Sequence, residues 1–408
     1  MSNHRYTLSR RAFVAGTSAA VVSASSIGRA LAQMPPLKVG VLLPTSGAQA
    51  GIGQDCLRGV EVGLGVLKDL GYPNLTIMNG DTETNVEVSR SRAEKLINEG
   101  AQLLVGAFDS GQSTAIAQVA EQKGIPFVIN IAAAPPITEQ GYKFVFRNFP
   151  TAPMILGDAF ANQKEIFETA GKSPKTAVVL HSNDTFGMAM QNGIGAVMPK
   201  FNMPYSIAQT IAYDPTARDL SVEISKAKAA NAEALIVISR LNDAILLTRE
   251  MVKQRWTPQT ILSMGPGWYE DQYLKVLGKL GDGPLSFVPW YDPNKKVSKA
   301  LEAALAKKHK DINLNTNHIF TFEALMIAAD AYKRAGSSDP KQLAEAIRKT
   351  NITDNVSTGP GIQFNEKGQN DKLKNSAIQN RGGKLVVVAP KAASNAKVEY
   401  PLKSYNAR

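Results

Sequence analysis

Lys38-Val39-Gly40-Val41-Leu42-Leu43, followed at once by Pro44-Thr45-Ser46-Gly47, is the stretch that decides the fold. From Val39 on it has no polar alternation, and Pro and Gly close it. That pattern marks a strand buried on both faces. A helical stretch comes next, from about Cys56 to Leu70, with apolar Leu57, Val60, Leu64 and Leu67. The run Leu75–Met78 then ends in Asn79-Gly80-Asp81. A helix from about Val86 to Glu99 leads to strand Leu103–Val105, and one from about Ser113 to Lys123 leads to strand Pro126–Ile129. Short apolar strands separated by helices of ten to fifteen residues imply βαβ units and a parallel sheet.

The same order of elements then starts again. Strands are expected at Lys175–Leu180, Tyr205–Ala208, Ala234–Ile238 and Thr260–Ser263. Helices fall between them, at about Met188–Met198, Leu220–Ala230 and Ala244–Gln254. The reading is α/β, with two doubly wound parallel-sheet lobes. Three later helices (about Val297–Lys307, Phe320–Ala335 and Pro340–Lys349) and the run Leu385–Val388 complete them. The expected division is 36–150 with 290–350 in lobe 1, and 151–289 with 351–408 in lobe 2. A length of 408 residues suits two large lobes.

Composition narrows the function. The chain is 44% apolar with one Cys, so an internal disulfide and a CxxC metal cage are excluded. The four His (His4, His181, His309, His318) have no metal-site spacing, and no metal or cofactor is expected. Residues 1–32 read as a signal peptide. Ser9-Arg10-Arg11-Ala12-Phe13 resembles a twin-arginine export signal, a weakly apolar stretch follows, and Ala30-Leu31-Ala32 precedes Gln33 as a cleavage site. An ordinary secretory signal carrying two arginines is the alternative. No Cys follows the site, so no lipid anchor is expected, and the mature protein is expected in the periplasm. The signal carries four Arg and no acid; 46 Lys+Arg less 4 leaves 42 against 35 Asp+Glu, a net charge of +7. That charge is scattered and not interleaved with aromatics, which argues against nucleic acid as a partner.

In an open parallel sheet, ligands sit beyond the carboxyl ends of the strands. The loops there are Thr45–Gly53, Phe108–Ser113, Ile131–Pro135, Ser182–Gly187, Arg240–Asn242 and Gly265–Tyr269. They supply the candidates Ser46, Ile52, Phe108, Asp109, Ser110, Gln112, Ile131, Ala133, Asp184, Phe186, Arg240, Gly267 and Trp268, with Phe149 and Trp290 beside them. The turn at Ser110 opens a helix whose N-terminus favours an anion, unless Asp109 or Ser110 serves only as a cap. Arg240 directly follows an apolar strand, where it either clamps a carboxylate or bridges the lobes. Asp184 either meets ligand or caps the helix near Gly187. The aromatic residues favour a flat or apolar ligand body, and part of them are expected in the core. Gly51-Ile52-Gly53 lacks the third glycine of a dinucleotide fingerprint, and reads either as close backbone approach to ligand or as a simple turn.

Several stretches in order resemble the Leu/Ile/Val-type periplasmic binding proteins of ABC transporters. They are Val39–Gly53, Gly106-Ala107-Phe108-Asp109-Ser110, Phe146-Arg147-Asn148, Asn183-Asp184-Thr185-Phe186-Gly187, Asp214–Asp219, Gly265-Pro266-Gly267 and Gly359–Asn365 with Lys367-Gly368. The likeness spans nearly all of 36–395. It implies two lobes joined by several crossing segments, closing on one small molecule and docking on a membrane permease without chemistry. It also implies that Ser110 touches the charged end of the ligand. Amino-acid binders of the family hold the ammonium with a carboxylate in the Gly265–Trp268 stretch, where this chain has Gly267 and Trp268. They use a hydroxyl residue where it has Ala133. The resemblance with these departures points to a small organic acid, an aromatic or short aliphatic carboxylate. The alternatives are an amino-acid or amide binder, a periplasmic sensor and an exported enzyme; against the last, no nucleophile elbow, metal set or complete cofactor loop occurs.

Overall fold

The computed structural model describes residues 34–405, so the expected signal peptide lies outside the described residues. The opening βαβα pattern builds the first sheet. Its strands are β1 (Leu37–Leu43), β2 (Leu75–Asp81), β3 (Leu103–Gly106), β4 (Phe127–Ile129) and β5 (Val145–Arg147), ordered β2-β1-β3-β4-β5 and all parallel. Helices α1 (Ala50–Asp69), α2 (Val86–Asn98) and α3 (Ser110–Lys123) connect them. β1 is buried at every position but Lys38, as its unbroken apolar run requires.

The second sheet has the order β14-β13-β10-β9-β8-β6-β7. Its parallel part is β6 (Thr176–Ser182), β7 (Ser206–Tyr213), β8 (Ala234–Ile238), β9 (Thr260–Ser263) and β10 (Leu285–Pro289). Two antiparallel strands finish it, β13 (Asn375–Arg381) and β14 (Lys384–Ala389); β11 (Asn351–Ile352) and β12 (Ile362–Gln363) form a separate small sheet. Around the large sheet lie α4 (Ala152–Ala170), α5 (Thr185–Val197), α6 (Ser221–Ala229), α7 (Leu241–Lys253) and α8 (Asp271–Leu277). Three helices then return to the first sheet's side: α9 (Lys296–Lys308), α10 (Thr316–Ala335) and α11 (Pro340–Arg348). α10 is buried on all sides, wedged against α1 and the first sheet.

The doubly wound reading holds, with one change: the second sheet is mixed, not purely parallel. α4, α8, β5, β10, β11, β12 and β13 were missed. β10 is short and bounded by Gly283-Pro284 and Pro289, so punctuation hid it. α1 and α10 each start earlier than periodicity suggests, because Gly and Asn open their first turns.

The crossing segments are tied by buried polar groups. Arg147 donates to Ala134 O (2.6 Å), Ala132 O (3.1 Å), Thr138 Oγ1 (2.8 Å) and Gln369 Oε1 (2.6 Å). Glu323, in the buried helix α10, receives bonds from Asn148 Nδ2 (2.7 Å), Asn355 Nδ2 (3.1 Å), the Val356 and Ser357 N–H groups (2.8 and 2.6 Å) and Ser357 Oγ (3.0 Å). One carboxylate thus pins two crossings to one helix. Glu323→Gln replaces an acceptor oxygen with an NH2 donor that faces other donors, and lowers the unfolding free energy by ~2 kcal/mol or more. Urea denaturation reads the change; an unaltered midpoint removes Glu323 from this anchoring role.

Candidate functional site

A small cavity lies between the carboxyl ends of the two sheets. The turn after β3 gives it Phe108, Asp109 and Ser110, and the segment after β4 gives Ile131, Ala132 and Ala133. The first crossing contributes Phe149 and Ile155. Across the cleft, Phe186 and Arg240 come from the starts of α5 and α7. Met264, Gly265, Pro266 and Tyr269 follow β9. Phe287, Val288 and Pro289 of β10 and Thr316 and Asn317 of α10 complete the wall.

Phe108 sits at φ +76°, a conformation that costs a bulky residue ~1–3 kcal/mol. The fold holds it there: its N–H donates to Asn130 Oδ1 (3.0 Å), and Asn130 Nδ2 donates to Thr321 Oγ1 (2.9 Å) of α10. The next residue, Asp109, caps α3, accepting from the Gly111 and Gln112 N–H groups at 2.8 and 3.3 Å. Those two N–H groups are therefore spent and do not await an anion. Ser110 Oγ, almost fully buried, accepts from Ala133 N (3.2 Å) and Ala134 N (3.3 Å). Both bonds use its lone pairs, so the hydroxyl proton remains to donate.

Arg240 bridges the lobes. Its guanidinium binds Asp109 from the first lobe and, at 2.5 Å, Asp184 from the second. Phe186 lies over its face, 5.0 Å from ring centroid to guanidinium carbon. Of the two sequence readings for Arg240, the inter-lobe bridge is the one the structure shows. Burial disfavours the charge on Arg240, but Asp109 and Asp184 outweigh it and raise the guanidinium's pKa. Burial likewise pushes the Asp184 carboxyl up; the Arg240 charge and the bonds from Gly187 and Ser182 outweigh it and hold Asp184 below its ordinary value. Asp184 also caps α5 through Gly187 N (2.8 Å). Two of the five N–H donors of Arg240 are used in these ion pairs.

The structure thus gathers Phe108, Asp109, Ser110, Ile131, Ala133, Phe149, Phe186 and Arg240 on one cavity. Ile52, Gln112 and Asp184 instead line a groove beyond the Arg240–Asp109 pair, and only Asp109 and Arg240 border both spaces. Ser46 borders neither: its loop is tied down through Ser46 N to Asp81 Oδ1 (3.2 Å). Gly53 is a packing glycine, since a Cβ would meet Pro44 O at 2.0 Å. Gly267 is held against the start of α7, where a Cβ would lie 2.2 Å from Arg240 O. Trp268 is core, donating to Ser239 Oγ (2.8 Å) and packed on Tyr273. Trp290 stands behind the cavity, edge-on to Tyr269 at 5.8 Å. Phe287, Thr316 and Asn317 were missed, with only the Asn315-Thr316-Asn317 cap signal open to reading, while Tyr269 was covered by the Gly265–Tyr269 loop but not singled out.

A second polar contact crosses the cleft beneath Tyr269. Glu270, buried, meets Asp55 of α1 and accepts from Asn317 Nδ2 (2.9 Å). Asn315 Nδ2 reaches Asp55 Oδ2 at 3.1 Å. Burial first, and the Asp55 charge second, push the Glu270 carboxyl well above its ordinary value. Burial also lowers neighbouring His318 to about 4, so it stays neutral.

Two outcomes follow. Arg240→Met leaves Asp109 and Asp184 without their cation, a change worth ~3–5 kcal/mol when such a pair is fully buried and less here, since the Asp184 side chain is 24% exposed. Ligand-free X-ray scattering should show a larger radius of gyration; an unchanged curve means the lobes are held by something else. For Glu270 the folded state binds its proton more tightly than the unfolded chain. Its contribution is present below the ordinary carboxyl value and is lost as pH rises through the raised one. Glu270→Gln should flatten the fall in melting temperature as pH rises above the ordinary carboxyl range. Parallel profiles for the two proteins would refute this.

Residues 36–373 match the family model described as periplasmic binding protein. The Leu/Ile/Val-binding protein homolog 7 of Brucella suis is 24% identical over 417 residues, covering 98% of this chain and all of that one. Homolog 8 of Brucella abortus is 23% identical, covering 90% and 94%. Among solved structures, a leucine-binding protein from Thermotoga maritima superposes with a TM-score of 0.75 at 22% identity, covering 86% of this chain and 98% of that one. A solute-binding protein of an R. palustris ABC transporter, solved with benzoate, gives 0.75 at 20% identity, covering 90% and 99%. A branched-chain amino acid binding protein from Streptococcus pneumoniae with isoleucine gives 0.71 at 17%, covering 87% and all of that chain. With a two-lobed α/β fold and a cavity at the facing strand ends, the chain belongs to the periplasmic binding protein family.

Proposed function

We propose that this protein is the periplasmic solute receptor of an ABC importer, and that its ligand is a small aromatic carboxylate. One observation carries the ligand class: five aromatic rings surround a cavity whose one bordering carboxylate, Asp109, is already paired with Arg240. An α-ammonium group there has no free negative partner, and burying it unpaired is costly. Pro266 and Gly267 offer no side-chain acceptor where an ammonium-binding acid is expected. A carboxylate finds the Ser110 hydroxyl proton and the remaining Arg240 donors. A flat ring meets Phe108, Phe149, Phe186, Phe287 and Tyr269. The benzoate complex of the R. palustris neighbour supports the same class.

No bond is made or broken. The ligand touches both lobes only when they are closed, so it shifts the open–closed balance by its differential affinity, and the closed form is what the permease recognises. The Arg10-Arg11 leader delivers the chain to the periplasm. A thermal-shift panel of aromatic acids, short aliphatic acids, amides and amino acids tests the class. Benzoate-type acids should raise the melting temperature, and Ser110→Ala should weaken their binding at least ten-fold by titration calorimetry. Stabilisation by leucine, isoleucine or valine alone would overturn the reading.

A further inference from the structure

Asn317 opens α10 at the cavity wall and is fully buried. Its backbone N–H is taken by Asn315 Oδ1 (3.0 Å), and its Nδ2 by Glu270 Oε1 (2.9 Å). Its Oδ1 has no partner. The amide cannot simply turn over to cure this. Glu270 Oε1 accepts from Asn317 Nδ2 at 2.9 Å, and its Oε2 faces the donor Asn315 Nδ2 at 3.5 Å. Glu270 Oε1 is then an acceptor, and a flipped Asn317 would set oxygen against oxygen. So the fold leaves a buried carbonyl oxygen unpaired on a residue that lines the cavity. A buried acceptor left unpaired is costly, which makes such an atom a selector for a donor.

Resting on the aromatic-carboxylate reading, we propose that the ligand carries a neutral hydrogen-bond donor of its own, a phenolic hydroxyl or an aryl amine, that bonds to Asn317 Oδ1. The preferred substrates are then hydroxy- or amino-substituted aromatic acids rather than the bare acid. Neighbouring groups do not supply this bond. Thr316 Oγ1 donates to Pro289 O (2.9 Å), and the Tyr269 hydroxyl meets Thr316. Charge sets the donor's character: an ammonium would gain one neutral oxygen and no free anion, whereas a neutral O–H or N–H matches that oxygen in kind.

Titration calorimetry on the full mature protein, with benzoate, its three hydroxy isomers, the three amino isomers and the matching methyl ethers, tests this. At least one hydroxy or amino isomer should bind ten-fold or more tightly than benzoate, and its methyl ether, which has no donor, should lose that gain. Asn317→Leu should abolish the isomer preference, so that a hydroxy acid and its methyl ether bind alike. The wild-type comparison of hydroxyl with ether decides the matter even if the variant folds poorly. If benzoate binds but no isomer gains, Asn317 is satisfied by water, and this inference fails while the parent reading stands. If no aromatic acid binds, or leucine does, both fail.

Discussion

Arg240 joins Asp109 and Asp184 across the cleft, and the site depends on that junction. Each acid also caps a helix, α3 for Asp109 and α5 for Asp184. The guanidinium therefore locks together the two helix starts that frame the cavity, one from each lobe. It is also the partition between cavity and outer groove. Contact between the lobes held this way has a strength of its own, apart from any ligand. On the proposed closure mechanism, any fraction already closed would raise the apparent affinity of a ligand.

Buried polar anchors hold the crossing segments at their roots. Arg147 gathers the first crossing and the Gln369 turn onto the segment after β4, and Glu323 gathers Asn148 and the 355–357 turn onto α10. α10 also presents Thr316 and Asn317 to the cavity from its first turn. One buried helix thus carries the hinge anchor and part of the ligand wall, so the site keeps its place relative to the crossings.

The lobes were legible because buried parallel strands write themselves as unbroken apolar runs, as in Val39–Leu43 and Ala234–Ile238. Half of the cavity was legible because it lies at the ends of those runs, from Phe108 to Ser110 and at Arg240. What escaped was set by tertiary contact. Trp268 follows a strand end and looks exposed to the cleft, yet its indole N–H turns inward to Ser239. Phe287 and Asn317 reach the cavity from elements distant in sequence from the loops that the strand-end rule selects. The role of Arg240 was undecidable from sequence, since its partners lie 131 and 56 residues away.

The polar economy of the cavity makes its selectivity a matter of counting. An apolar wall tolerates many flat bodies and discriminates weakly among them, because a methylene more or less is worth only ~1–3 kcal/mol. Discrimination must come from the few polar atoms that closure leaves without partners. The charge of Arg240 is largely balanced by two acids, so it rewards a carboxylate less than a free guanidinium would. The Ser110 proton is one directional contact for an acceptor, and Asn317 Oδ1 is one for a donor. A molecule that satisfies both leaves neither of these two atoms unpaired. One that satisfies a single end leaves the other as a cost.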